Sequence, residues 1–205
     1  MLRPDVNLLN WVCNDIIAVM IRDIVNAKDP RLRVTSKPVN KIDKKIREII
    51  NDLKETLVVQ NDPEGIGLAA PQIGKNVRVF VMKPDEEITT VINPKILKIY
   101  DSSPHGSFKK KSNKGKPAKK DKKIMEGCLS LPHFYGPIRR AKKVTIEYLE
   151  ENGVKKNKTF EGLEAQIVLH EIDHLDGKLF IDRLIEQKKP LFEYKDGEWE
   201  EVDLI

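Results

Sequence analysis

Between residues 41 and 59, Ile42, Ile46, Ile49, Ile50, Leu53 and Leu57 recur at intervals of three and four, so a helical trace puts them on one stripe. Asn61-Asp62-Pro63 ends that helix. An earlier apolar stretch, residues 6–25, is densest at Ile16–Ile21, but Asn14, Asp15, Arg22 and Asp23 interrupt it. It has no unbroken run of the ~20 apolar residues that a bilayer crossing needs. It also lacks the basic start and small-residue cleavage site of a secretion signal, so it is read as an amphipathic helix resting on the body. Asp29-Pro30-Arg31-Leu32-Arg33 reads as a turn.

Shorter periods follow. Residues 78–83, 88–92 and 95–100 read as three strands, the last two separated by Asn93-Pro94. Residues 143–150 set Val144, Ile146 and Tyr148 against Thr145, Glu147 and Leu149, Asn152-Gly153 is a hairpin turn, and residues 154–160 return. A helix over about 163–175 comes next, with Gly177 placed to end it. Residues 101–123 hold almost no apolar side chains and cannot bury enough surface to fold alone, which marks a mobile insertion. The charged tail from Asp182 on carries Phe192 and Trp199, a pattern that predicts partial docking rather than chemistry.

Charge changes this picture only locally. The chain of 205 residues has a net charge of +5, yet residues 109–123 alone hold nine lysines and one aspartate. Removing that +8 leaves the rest at −3, so the basic balance belongs to one segment. Two cysteines, Cys13 and Cys128, make no disulfide framework and suit a reducing compartment. Lysine outnumbers arginine, and asparagine and isoleucine are common; with the insertion and the N-terminal stretch, this favours a plastid-like organelle such as an apicoplast, bacterial cytoplasm being the alternative.

The candidate chemistry sits in the last helix. His170 and His174 are i and i+4, one above the other on a single face, and Glu171 lies one step round. His-Glu-x-x-His in this form holds a metal ion with two imidazoles and leaves the glutamate free for a proton. A catalytic site of this type needs a third protein ligand. The longer pattern with a third histidine fails, because Phe180 stands where that histidine belongs and none follows His174. Glu186 is the nearest glutamate downstream. Upstream, Cys128 lies between Gly127 and Leu129, either as a ligand or as a buried free thiol. Residues 65–74, Gly-Ile-Gly-Leu-Ala-Ala-Pro-Gln-Ile-Gly, allow a close backbone approach to a ligand or a tight turn, and lack the spacing of a nucleotide loop.

Three segments together resemble the motifs of the peptide deformylases: Gly65-Ile66-Gly67-Leu68-Ala69-Ala70-Pro71-Gln72, Glu126-Gly127-Cys128-Leu129-Ser130, and His170-Glu171-Ile172-Asp173-His174-Leu175. The likeness runs from about Asp23 to Leu184. It implies an α+β fold, with antiparallel sheets packed around a central helix carrying the metal motif. Residues 1–22 would form an N-terminal helical extension, 23–184 the catalytic domain and 185–205 a tail. The resemblance implies removal of the formyl group from the N-terminal formyl-methionine of newly made polypeptides. One divalent metal ion is implied, Fe(II) natively, with Zn, Ni or Co able to replace it, held by Cys128, His170 and His174. Glu171 would move the proton, and the Gln72 amide with the Leu129 backbone N–H would stabilise the oxyanion. Gly65, Ile66, Gly67, Leu163 and Ile167 would bind substrate. The implied partners are formyl-Met nascent peptides and, transiently, the ribosome, with no membrane and no specific nucleic acid.

Two features depart from the family pattern: Leu169 replaces a glutamine before the first histidine, and the lysine-rich insertion precedes the cysteine motif. Gln166 is polar where an apolar residue would be comfortable. Glu126 is expected to hold a hydrogen bond beside the cysteine, and Asp173 and Arg140 are a candidate buried ion pair. Two other readings stay open, a metallopeptidase built on the same helix and a non-catalytic relative binding RNA or ribosome through residues 109–123.

Overall fold

The computed structural model describes residues 20–100 and 125–203. Cys13, the lysine-rich insertion and most of the stretch expected as an N-terminal helix lie outside the described residues. What is described of that stretch, residues 20–25, is not helical. Two of its backbone donors go instead to side chains of helix α1 (Lys44–Val58), Met20 N–H to Asp52 at 3.1 Å and Arg22 N–H to Thr56 at 2.9 Å, and Val25 N–H goes to Gln72 C=O at 2.9 Å. Arg22 Nε adds an ion pair to Asp52 at 2.8 Å. Asp52 and Thr56 are the polar breaks in an otherwise apolar buried stripe, and they serve as docking points for this segment.

Asp43 caps α1, its carboxylate accepting from Ile46 N–H at 3.0 Å. Of the stripe read from the sequence, Ile46, Ile49, Ile50, Leu53 and Leu57 are buried, while Ile42 precedes the helix and is half-buried. The stripe covers one face of a five-stranded antiparallel sheet of order β1 (Gly67–Ala69), β2 (Val79–Met82), β3 (Thr89–Tyr100), β6 (Lys143–Leu149) and β7 (Lys155–Glu161). Successive side chains point to opposite faces of a strand, so one strand feeds two cores. Leu68, Val79, Val81 and Ile92 face α1. Ala69, Phe80, Met82, Val91, Val144, Ile146, Tyr148 and Phe160 face helix α2 (Gly162–Leu175).

Asn93-Pro94 does not divide two strands as expected. β3 runs through it with a bulge, its register against β6 passing from Ile92↔Leu149 to Lys95↔Glu147. Proline gives the ladder no N–H, and a bulge is where a strand tolerates that. Asn93 adopts a positive φ of 52°. Its carboxamide accepts from Val39 N–H and donates to Val39 C=O, both at 2.8 Å, tying the loop before α1 to the sheet.

A second sheet joins two strands of the expected domain to two from the expected tail, beyond residue 184. Strands β4 (Glu126–Cys128), β5 (Leu131–Gly136), β8 (Leu191–Lys195) and β9 (Glu198–Val202) pair in that order, all antiparallel. Helix α3 (Phe180–Glu186) packs on it through Phe180 and Leu184, which form a third core with Cys128, Ile138 and Leu191. The charged tail is therefore a hairpin turning at Asp196-Gly197, and Trp199 packs edge-on to Tyr135 at 5.3 Å between ring centroids. Among the described residues no helix is long and apolar enough to cross a membrane. The antiparallel sheets around α2 agree with the α+β expectation.

Asn93→Ala removes two part-buried hydrogen bonds and leaves a β-carbon at a left-handed position, so it should cost about 1–3 kcal/mol in urea unfolding. Asn93→Gly relieves the backbone and should cost less; equal losses would mean that the hydrogen bonds to Val39 alone set the cost.

Candidate metal centre

α2 lies between the five-stranded sheet and β4, and from Ala165 to Leu175 it is buried nearly all round. Its polar side chains must therefore find partners inside the protein. The helical repeat sets His170 and His174 on one face with Nε2 atoms 3.1 Å apart. β4 brings Cys128 from the other side, where the strand pairing shifts at Gly127/Cys128, and Sγ comes to 3.3 Å from His174 Nε2. The three ligand atoms lie within 4.8 Å of one another.

These donors fit a metal ion. Tetrahedral bonds of about 2.1 Å to nitrogen and about 2.3 Å to sulfur put neighbouring ligand atoms roughly 3.4–3.6 Å apart, a few tenths beyond the His170–His174 and Cys128–His174 separations. One sulfur and two ring nitrogens converge where a cation satisfies all three lone pairs at once. Outward of them, His170 Nδ1 meets Glu126 Oε1 at 2.7 Å, the carboxylate–imidazole contact that fixes the ring's tautomer and angle in metal sites. His174 Nδ1, also buried, has no hydrogen-bond partner among the described residues. Burial, and then the neighbouring His170, push the His174 pKa well below the usual imidazole range, so that ring offers a lone pair. Burial works the same way on His170, but its contacts with Cys128 and Glu126 outweigh it and raise that ring's pKa.

Glu126 is the hub behind the ligands. Arg140 grips it with both Nε and Nη2 at 2.6 Å, and Gln166 Nε2 donates to its Oε2 at 3.2 Å. Burial alone would raise its pKa; the Arg140 and His170 hydrogen bonds overcome this and hold it well below the ordinary carboxylate range. Arg140 continues to Asp173 at 2.8 Å, with both side chains buried, which realises the expected ion pair. Asp173 then receives Arg183 Nε at 2.9 Å, from α3. Arg183 lies near the expected end of the catalytic domain, and its part in this network has no signal in sequence spacing. The same holds for Gln166 as a partner of Glu126.

Glu171 lies beside the ligands, 3% exposed, and its Oε2 has no partner among the described residues. Burial pushes its carboxyl up to about 7, the range where a group both takes and returns a proton. A cation at the three ligands would pull that value down. Gln72 is 1% exposed, at the end of the turn Ala70–Ile73. Its Oε1 accepts from Ala69 N–H at 2.8 Å, which aims Nε2 at Ser130 Oγ, 3.3 Å away, and at Cys128 Sγ, 3.6 Å away. Gly67 is required by close approach: a β-carbon there would sit 2.4 Å from Glu171 Oε1 and 3.0 Å from Ile167 Cγ2.

A cavity of about 210 Å³ opens onto this centre. Of the residues singled out from sequence, Ile66, Gly67, Gln72, Cys128, Leu129, Leu163, Ile167, His170 and Glu171 line it. His174 stands behind as the deepest ligand, 1% exposed. Gly65 is not on the wall; it is buried, with its N–H donated to Gln60 C=O at 3.1 Å. Pro63, Glu64, Met125, His133, Phe134 and Tyr135 also line the cavity and have no signal as site residues in the sequence. β1 is the outer strand of its sheet beside the cavity, so its second edge can pair with an extended peptide. Glu186 is remote from the centre in its interactions, paired to Arg183 at 2.7 Å on the surface.

A family model described as "Polypeptide deformylase" matches residues 21–190. Peptide deformylase 2 of Clostridium acetobutylicum is 40% identical over 169 residues, which are 82% of this chain and 99% of that protein. Peptide deformylase of Dictyoglomus thermophilum is 34% identical over 168 residues, 82% of this chain and 95% of that one. Among solved structures, peptide deformylase from Thermotoga maritima superposes with a TM-score of 0.66 at 35% identity, covering 80% of this chain and 97% of that one. The peptide deformylase of Synechococcus elongatus in complex with actinonin gives a TM-score of 0.65 at 32% identity, covering 84% of each chain.

Because Glu126 orients His170, Glu126→Gln should weaken metal retention about 10–100-fold in competition with a chelator. Unchanged retention would mean that packing alone fixes the His170 ring.

Proposed function

The chain belongs to the polypeptide deformylase family, and on that premise we propose that it hydrolyses the formyl group from the N-terminal formyl-methionine of new polypeptides, releasing formate. One observation carries this reading: Cys128, His170 and His174 converge within 4.8 Å beside a cavity-lining Glu171 that is buried and whose Oε2 has no partner among the described residues. When bound by these three residues, a divalent metal supplies Lewis acidity toward the formyl carbonyl and the attacking water. Iron(II) is the proposed working metal, with zinc, nickel or cobalt able to stand in.

Glu171 takes the proton of the attacking water as its oxygen bonds to the formyl carbon. The charge that develops on the formyl oxygen meets the Gln72 amide, aimed by its bond to Ala69, and the Leu129 backbone N–H. Glu171 then gives the proton to the amine nitrogen as the C–N bond breaks. Ile66, Leu163 and Ile167 take the methionine side chain, and the next residues lie against the free edge of β1. Gln72, Gly67 and the buried wall keep bulk water from Glu171. Nascent chains become available at the ribosome, so a transient encounter with it belongs to this reading.

Formyl-Met-Ala-Ser should release formate with the metal-loaded protein. Glu171→Gln should lower kcat by about 10²–10⁴ with metal content unchanged. Cys128→Ala should lose the metal and the activity together. Cleavage of internal peptide bonds with metal still bound to Cys128→Ala would favour a metallopeptidase instead. The lysine-rich, asparagine- and isoleucine-rich composition supports a plastid-like organelle such as an apicoplast; fractionation of cells expressing the tagged full chain should place it with organelles, and a purely cytosolic signal would count against that setting.

A further inference from the structure

Leu163, Gln166, Ile167 and His170 stand at i, i+3, i+4 and i+7 of α2 and share the face that lines the cavity. Three of them have work in the reading above, as apolar wall or metal ligand. Gln166 has none. Its neighbours on that wall include Ile66, Met125, Leu163 and Ile167, among which a half-buried carboxamide costs desolvation unless its hydrogens are used. One is used, in the 3.2 Å bond from Nε2 to Glu126 Oε2. That bond is the longest of the four to this carboxylate, the others being 2.6, 2.6 and 2.7 Å, so Arg140 and His170 already hold Glu126. An amide nitrogen carries a second hydrogen, directed away from the first, and no described residue accepts it.

Resting on the deformylase reading, we propose that Gln166 is a specificity-determining residue, donating its second Nε2 hydrogen to a heteroatom near the end of the substrate's first side chain. The pocket then reads chemistry as well as shape. A thioether sulfur is a weak acceptor, a sulfoxide oxygen a strong one, and the methylene of norleucine none. Formyl-methionine oxidised to its sulfoxide, polar and poorly suited to an apolar pocket, is accepted here as a substrate. A site that donates a hydrogen bond also disfavours the analogue that cannot accept it.

The test compares formate release from formyl-Met-Ala-Ser, its methionine sulfoxide form and its norleucine form, using the full chain loaded with metal. In the wild type, kcat/KM for the sulfoxide should exceed that for norleucine, by roughly three- to tenfold for one neutral hydrogen bond. Gln166→Met and Gln166→Ile should remove or invert that preference, read as the ratio of the two kcat/KM values in a variant that still binds metal. Two variants are needed because the branched side chain can disturb the helix face; metal content reports which of them is intact. A wild type that prefers norleucine to the sulfoxide would overturn the proposal. So would an intact variant that keeps the wild-type ratio, or a fall in kcat equal for all three peptides, which is what a residue that only positions Glu126 would give. No formate from any peptide in the wild type would overturn the deformylase reading itself.

Discussion

The Glu126–Arg140 pair is the interaction on which the site depends. Its two charges are buried, and they belong to β4 and to the segment between β5 and β6, while the groups they hold sit on α2. Taking a carboxylate and a guanidinium out of water costs several kcal/mol each, and a bidentate contact offsets this only when the remaining donors and acceptors are also filled. Here they are filled: His170 and Gln166 complete Glu126, and Asp173 continues from Arg140 to Arg183. Two acids and two bases leave no net charge in the network. The result is that the strand bearing Cys128 and the helix bearing both histidines are tied through one carboxylate two residues from the cysteine. The distance from Cys128 to His174 is set by electrostatics as much as by packing.

That network explains why the site was legible only in pieces. His170 and His174 are four residues apart on one helix, so the repeat alone puts them together. Cys128 is 46 residues from His174, and nothing in its own neighbourhood announces a ligand. It was found through the joint occurrence of three motifs. Arg183 escaped because its partner Asp173 lies across the turn at Gly177, in a different helix. Gln166 could be seen as a misfit in an apolar context, but its partner could not.

The fold divides along similar lines. α1 and β6 are readable because each buries a single face and so keeps a clean period, and the Asn152-Gly153 turn gives the return strand β7, which buries only Phe160. The sequence of β3 suggests two strands because Asn93-Pro94 has the chemistry of a break, and only the bulge, with the Asn93 bonds to Val39, makes it continuous. The start of the described chain runs extended along α1, where Asp52 and Thr56 replace the hydrogen bonds of the expected helix. The second sheet uses strands as short as Glu126–Cys128, and its outer hairpin is mostly exposed, so neither leaves an alternating pattern to read.

The five-stranded sheet ends differently on its two sides. β7 carries Lys155, Lys156 and Lys158 along an exposed outer strand, with carboxylates of Glu147, Glu150 and Glu164 beside them. Another strand arriving there would have to strip water from a row of ammonium groups. β1 at the opposite side has no charge in Gly67-Leu68-Ala69 and opens onto the cavity. The sheet is therefore a surface with one guarded border and one welcoming border. On the proposed reading, a peptide docked at the second would be read through its backbone, which every sequence shares, so a single protein could serve chains that have only their first residue in common.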